Sequence, residues 1–253
     1  MGTLFSKDKW LFNLTTPEYE TAIFGYRMGE LRLVSSFASA DLCLDDIAQY
    51  MTDEEMLACT FRGKENIDLV RYLNSIGFLF VGTYSIVTCD TYDFYRVNMR
   101  SDLNIIQANR DDYEGMINIK KKVFDYSTHQ LDPLFHNDIT SHRNVLRLKS
   151  YFDNPNHYAY ICKYKNKVIG YLQFIVDKEH NTALCTNGAI DPDYHRLFIG
   201  VHVYTEAFNN IFEMGIEQIT SGYCNQNLPA MKIHRSCGFK LKEHEIHLRL
   251  HTW

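Results

Sequence analysis

NQNLPAMKIHRSCGFK, residues 225–240, reads as a helix with both of its ends marked. Asn227 is a side-chain cap for the free amides of the first turn, and Pro229 stands near the first helical position, where a missing N–H does no harm. Gly238 is placed to close the helix in the left-handed conformation that glycine adopts without strain. A helix is therefore predicted over 228–236, with a strand from Phe239 onward. His234 lies on this helix. It reads either as a partly buried surface histidine or as a proton donor, since imidazole titrates near neutrality.

Working upstream, EQITSGYC (217–224) has the composition of a strand, and a helix is predicted over about 197–213. The stretch AIDPDYHRLFIGVHVYTEAF (189–208) begins as a strand, stops pairing at Pro192 and feeds that helix through a short loop. Free amides and the dipole at such a helix start attract phosphate or pyrophosphate. Gly200 would let the backbone approach a ligand closely, and Arg196 could add a charge-assisted contact. The same stretch also reads as an ordinary strand-to-helix turn.

Three strands come before it, HYAYICKY (157–164), KVIGYLQFIV (167–176) and TALCTNGAI (182–190), the first two joined by a tight turn at Lys165-Asn166. Further upstream are a strand over 103–108, a helix over 110–125, the polar stretch YSTHQLDP and a second helix over roughly 134–152. The order β-α-α-β-β-β-α-β-α-β predicts an α/β chain of the α+β kind, a mixed sheet covered by helices.

The first part of the chain reads as a smaller mixed domain. Strands are predicted over 25–34, 56–61 and 78–87. Helices are predicted over 41–50, with Asp41 as N-cap, and over 65–76. The segment 91–102 is the candidate boundary, which gives domains 1–98 and 99–253. IDLVRYLNSIGFLF (67–80) echoes the helix-then-Gly-Phe pattern of 225–240. Aligning Gly77-Phe78 with Gly238-Phe239 sets Leu73 where His234 stands. The echo reads as a truncated, non-catalytic half-copy, or as coincidence, because helices often end in Gly before a strand.

The net charge of −5 comes without a basic stripe, which argues against a nucleic-acid partner. No apolar run is long enough for a membrane span, and no secretory leader is expected. The seven cysteines are odd in number and form no CxxC pair, so reduced, mostly buried thiols in a cytoplasmic protein are expected, with no metal site. A homodimer is the default expectation.

Residues 103–247 resemble the GNAT superfamily of acyl-CoA N-acyltransferases. The family's phosphate loop, Q/R-x-x-G-x-G/A, falls on His195, Arg196, Leu197, Phe198, Ile199 and Gly200, directly after the Asp191-Pro192 that replaces V-x-P. Its later pattern, N-x-x-A-x-x-x-Y-x-x-x-G-F, falls on Asn227, Ala230, His234, Gly238 and Phe239. The sequence departs from the family at Phe198 for the first loop glycine, His195 for Gln or Arg, and His234 for Tyr. The resemblance implies a complete C-terminal GNAT domain preceded by a truncated GNAT-like one, with acyl-CoA as co-substrate and no metal. It implies acyl-CoA contacts at Ala189, Ile190, the loop from His195 to Val201, and Asn227, and it gives His234 the role of protonating the departing thiolate.

A narrower resemblance covers YETAIFGYRMGEL (19–31), DLVRYLNSIGF (68–78) and YSTHQLDPLF (126–135), which look like the dTDP-fucosamine acetyltransferase branch. It implies transfer of an acetyl or 3-hydroxyacyl group to the amine of a dTDP-linked 3- or 4-amino-6-deoxyhexose, for surface polysaccharides. Tyr126, His129, Asp132, Phe135, Asn187 and Tyr223 become the candidate acceptor residues. Asp191, His129 or a water chain are the options for a base. Cys185 and Cys224 lie near the proposed cleft but read as core. Transfer to a protein N-terminus, a lysine or a polyamine is an alternative, as is a CoA-binding module without catalysis.

Overall fold

The computed structural model describes residues 2–34, 42–98, 100–123, 126–135, 143, 145–149, 151–197 and 199–252. Its strands are β1 (Thr3–Lys7), β2 (Trp10–Thr15), β3 (Arg27–Val34), β4 (Leu42–Cys43), β5 (Met56–Lys64), β6 (Leu79–Asp90), β7 (Asn104–Gln107), β8 (His157–Tyr164), β9 (Lys167–Asp177), β10 (Thr182–Ile190), β11 (Gln218–Cys224) and β12 (Lys240–His251). The chain forms two compact units. One holds residues 1–84, 131–134 and 244–253; the other holds 85–130 and 135–243.

In the first unit β1, β2 and β3 form an antiparallel meander, and β3 then pairs in parallel with β5. Residues 245–251 of β12 close the other edge of β5 in antiparallel register. Phe5, Phe12, Leu31, Phe61, Leu73 and Leu248 are among the side chains of its apolar core. The helix Ile67–Ser75 is capped by Asn66, whose side chain accepts from the Leu69 amide.

The second unit repeats that plan. β8, β9 and β10 form an antiparallel meander and β10 pairs in parallel with β11. Lys165 and Asn166 make the β8–β9 turn with φ of 48° and 63°, the left-handed pair that a two-residue hairpin needs. The helix Ile199–Phe212 buries eight side chains, and its Val203, Phe208 and Ile211 join Phe174 and Phe239 in the core on one face of the sheet. Met116 and Ile119, from the helix Tyr113–Lys122, pack with Leu148 and Tyr171 on the other face.

The repeat holds down to single hydrogen bonds. Asn227 accepts from the Ala230 amide as Asn66 does from Leu69. The Phe239 amide donates to the His234 carbonyl, and the Phe78 amide to the Leu73 carbonyl, at 3.0 Å each. Gly238 and Gly77 have φ of 92° and 98°. Leu73 is fully buried in the position of His234.

Several local expectations need correcting. The helix predicted over 41–50 begins later, at Ile47–Asp53, because Leu42–Cys43 pairs with β1 and Leu44–Asp46 is a single 3₁₀ turn; Asp41 lies outside the described residues. Of the helix predicted over 134–152, residues 145–149 are helical and Tyr151–Asp153 is a 3₁₀ turn, while 136–142, 144 and 150 lie outside the described residues. The hairpin β1–β2 and the helix Glu18–Phe24 were not foreseen from the sequence.

Candidate active site

The parallel ladder between β10 and β11 is short. It joins Thr182 to Gln218, Ala183 to Ile219 and Leu184 to Thr220, and then stops, although β10 continues to Ile190 and β11 to Cys224. β10 keeps its partner on the other edge, running with β9 as far as Ile190 opposite Gly170, with a bulge between Cys185 and Asn187. A bulge bends its own strand. The edge of residues 186–190 that faces β11 therefore carries main-chain groups with no β11 partner among the described residues. In the first unit the parting comes later: the ladder continues through Glu30–Thr60 and Leu31–Phe61, the counterparts of the point where β10 and β11 part, and only Arg32–Val34 and Arg62–Lys64 lie beyond it.

On the helix-covered face of the second unit, at the parting point, the Ser221 hydroxyl lies 2.8 Å from Nε2 of His234. Nδ1 of His234 lies 2.8 Å from the Ala230 carbonyl, one turn back on its helix. A carbonyl only accepts, so Nδ1 carries the ring proton and Nε2 accepts a hydrogen bond from the Ser221 hydroxyl. His234 is 2 % exposed, and burial drives its pKa down to about 4, so the ring is neutral at neutral pH. The imidazole that the resemblance makes the proton donor is therefore neutral, with Nδ1–H on the Ala230 carbonyl and Nε2 on the Ser221 hydroxyl. Neither nitrogen has a proton to spare for a thiolate. The rings of Tyr204 and Tyr223 stand 5.5 Å and 5.4 Å from the imidazole. Cys185 is buried and its thiol is pushed up to about 12 by desolvation, while Cys224 is buried and pushed up for the same reason, so both are core thiols.

The opposite face carries a polar cluster. Asn187 donates through Nδ2 to Oε1 of Gln173 at 3.1 Å and to the Tyr171 hydroxyl at 3.4 Å. Gln173 is completely buried, and its Nε2 has no partner among the described residues. Tyr151 hydrogen-bonds Thr186 within the bulge, and its ring leans on His157.

The loop after β10 is built around Asp191. Pro192–Leu197 forms 3₁₀ turns and the helix begins at Ile199. Asp191 is 1 % exposed and accepts from Lys122 at 3.1 Å and from the Asp193 amide at 3.2 Å, with Lys167 at 3.5 Å. Burial opposes its ionisation, but Lys122, the Asp193 amide and Lys167 outweigh that and hold its pKa below the usual carboxylate range. Asp191 is thus a fixed anion that ties the loop to the helix Tyr113–Lys122, a poor base. His195 donates through Nε2 to the Ile190 carbonyl at 3.0 Å. A side chain at Gly200 would put its Cβ 2.7 Å from Cδ1 of Ile233, so this glycine lets two helices approach. Phe198 lies outside the described residues, as do the side chains of Arg196 and Leu197. The Asn227 side chain is taken up by its helix cap.

Of the candidate acceptor residues, Tyr126 adopts φ 51°, and His129 is buried with its ring edge-on to Phe135 at 5.2 Å. Asp132 belongs to the first unit. It is buried there between Nη1 of Arg249 at 3.1 Å and Nε2 of His251 at 3.0 Å, so its carboxylate is committed to a structural cluster. Gln173 and Ser221 were not singled out from the sequence. Their places, across from Asn187 and beneath His234, follow from strand register, which no local pattern discloses.

Residues 125–239 match the acetyltransferase (GNAT) family. The fold is the GNAT fold, and solved structures share it along nearly the whole chain. A functionally unknown conserved protein from Staphylococcus epidermidis aligns with a TM-score of 0.67 at 10% identity, over 99% of this chain and 94% of its own. A GCN5-related N-acetyltransferase from Kribbella flavida aligns at 0.63 and 12%, over 98% and 89%. A tandem GNAT protein from the clavulanic acid biosynthesis pathway aligns at 0.64 and 7%, over 96% and 79%. A search of curated proteins gave no significant match.

Proposed function

We propose that the protein transfers an acyl group from acyl-CoA to an amine, and that the acceptor is a dTDP-linked amino-6-deoxyhexose. The observation that carries the first part is the opening between β10 and β11 beyond Leu184 and Thr220, next to a loop that starts a helix. In this reading the pantetheine arm pairs with the free edge of 186–190. The pyrophosphate rests on the amides of residues 195–201, where the helix dipole favours negative charge. The deprotonated amine attacks the thioester carbonyl, which a main-chain N–H of residues 188–190 polarises. Residues 99–253 form the catalytic domain, and 1–98 are a truncated copy whose corresponding strands stay paired two residues further. The sugar-nucleotide part is supported by the resemblance at 19–31, 68–78 and 126–135, with Tyr126, His129 and Phe135 near the acceptor and Asn187 reaching it from the bulge.

The test has two arms. Calorimetry with CoA should show binding, and a wild-type protein that ignores CoA overturns the acyl-transfer reading. Thiol release from acetyl-CoA should then be compared among a dTDP-amino-6-deoxyhexose, a lysine peptide, an N-terminal peptide and a polyamine. Turnover confined to one of the last three overturns the sugar acceptor alone.

A further inference from the structure

We propose that Tyr204, on the helix Ile199–Phe212, is the residue that protonates the departing CoA sulfur. The inference rests on the acyl-transfer reading above and assigns its missing acid. With Nδ1–H given to Ala230 and Nε2 filled by Ser221, His234 has no proton facing the cleft. The ring beside it does. Tyr204 meets His234 edge to face, and a Cβ built on Gly188 would lie 2.8 Å from the Tyr204 hydroxyl. The hydroxyl therefore reaches the main chain of β10 inside the segment that has no β11 partner, on the side of the sheet that carries Ser221 and His234. It makes no hydrogen bond to another described residue. Tyr204 is 9 % exposed, so its phenol is held in place yet not sealed off. Burial first, then the neighbouring Cys185, Tyr171 and Cys237, raise its pKa and keep it protonated at neutral pH. Gly188 matters for the same reason: any side chain there would occupy the hydroxyl's place.

The step balances. The amine nitrogen forms its bond to the acyl carbon, and the carbon–sulfur bond breaks. The thiolate takes the Tyr204 proton, and the proton shed by the amine to water restores the phenol. His234 acts as a positioning residue that holds the ring edge.

The probe is CoA itself, whose thiolate absorbs in the ultraviolet, so no acceptor is needed. A donor aimed at sulfur stabilises the thiolate of bound CoA. Tyr204→Phe should leave CoA affinity within about twofold and raise the thiol pKa of bound CoA by about one unit or more, the size expected from one hydrogen bond to a charged group. With an active acceptor, kcat should fall about 10²-fold or more with KM for acetyl-CoA little changed. Gly188→Ala, which displaces the hydroxyl, should shift the titration the same way. An unchanged titration in Tyr204→Phe with CoA still bound overturns the assignment and leaves acyl transfer standing. A shift seen in Ser221→Ala but absent in Tyr204→Phe overturns it in favour of the Ser221–His234 pair. A wild type that binds no CoA overturns both.

Discussion

The Ser221 hydroxyl and Nε2 of His234 stand 2.8 Å apart in a buried pair where β10 leaves β11. The Ala230 carbonyl fixes the tautomer of the ring, and this hydroxyl, bonded to its other nitrogen, holds the orientation of the surface that Tyr204 packs on. Ser221→Ala strands a buried acceptor. It should destabilise the protein by about 1–3 kcal/mol in urea denaturation, and a smaller effect would mean that the ring turns or that water replaces the hydroxyl.

The depressed pKa of His234 makes stability depend on pH. Its folded value of about 4 lies below the ordinary 6.5, so between them the unfolded chain binds a proton that the folded one refuses. This contribution is fully present above pH 6.5 and is lost as pH falls toward 4, roughly 3 kcal/mol in all. Burial lowers the pKa of His157, His202 and His247 too, so wild type has several contributors. Urea midpoints at pH 7 and pH 5 should drop less in His234→Gln than in wild type. Equal drops would show that the imidazole is not held neutral.

Gly200 lies against Ile233 of the neighbouring helix, where an added Cβ would stand 2.7 Å from Cδ1, the end of that side chain. Gly200→Val should destabilise by about 1–3 kcal/mol through overpacking. Adding Ile233→Ala should cancel part of that loss in a double-mutant cycle. Additive losses would place the strain elsewhere.

The two glycine caps should differ in tolerance. A Cβ at Gly238 would lie 2.0 Å from the Asp93 carbonyl oxygen, whereas one at Gly77 meets nothing nearer than Cδ1 of Leu250 at 3.1 Å. Both alanine variants carry the left-handed penalty of about 1 kcal/mol, but Gly238→Ala must also move backbone. Thermal melts should rank Gly238→Ala well below Gly77→Ala, and the reverse order would contradict the packing at Asp93.

Cys43 is exposed and the other six cysteines are buried. Burial pushes the thiols of Cys89 and Cys162 up to about 12 and that of Cys237 up to about 11. A thiol reagent at neutral pH should modify one cysteine rapidly in native protein and none in Cys43→Ser. A second fast site would mean that one of the buried strands opens.

The sequence was most readable where a single residue must satisfy a local rule. Asn227, Gly238 and the Lys165-Asn166 turn all do what their chemistry demands within a few positions, and the helix and strands around them came out as expected. It was less readable where tertiary pairing decided the outcome. Leu42–Cys43 has helix-compatible neighbours yet joins β1, because an edge strand was there to pair with. Asp132 sits in a polar stretch that reads as a surface loop, yet Arg249, more than a hundred residues away, draws it into the interior. The proton count of His234 depends on Ser221 and Ala230 together, and only the fold brings the first of these within reach.

The first unit's β5 is zipped on one side by residues 245–251, supplied from far downstream. During synthesis, that edge stays bare until nearly the whole of the second unit has left the ribosome. Pairing over so long a loop is slow, and an unfilled strand edge invites the wrong neighbour. Nascent chains stalled before residue 244 should therefore lean on chaperones, and a fragment lacking residues 244–253 should clump where the longer chain stays dispersed.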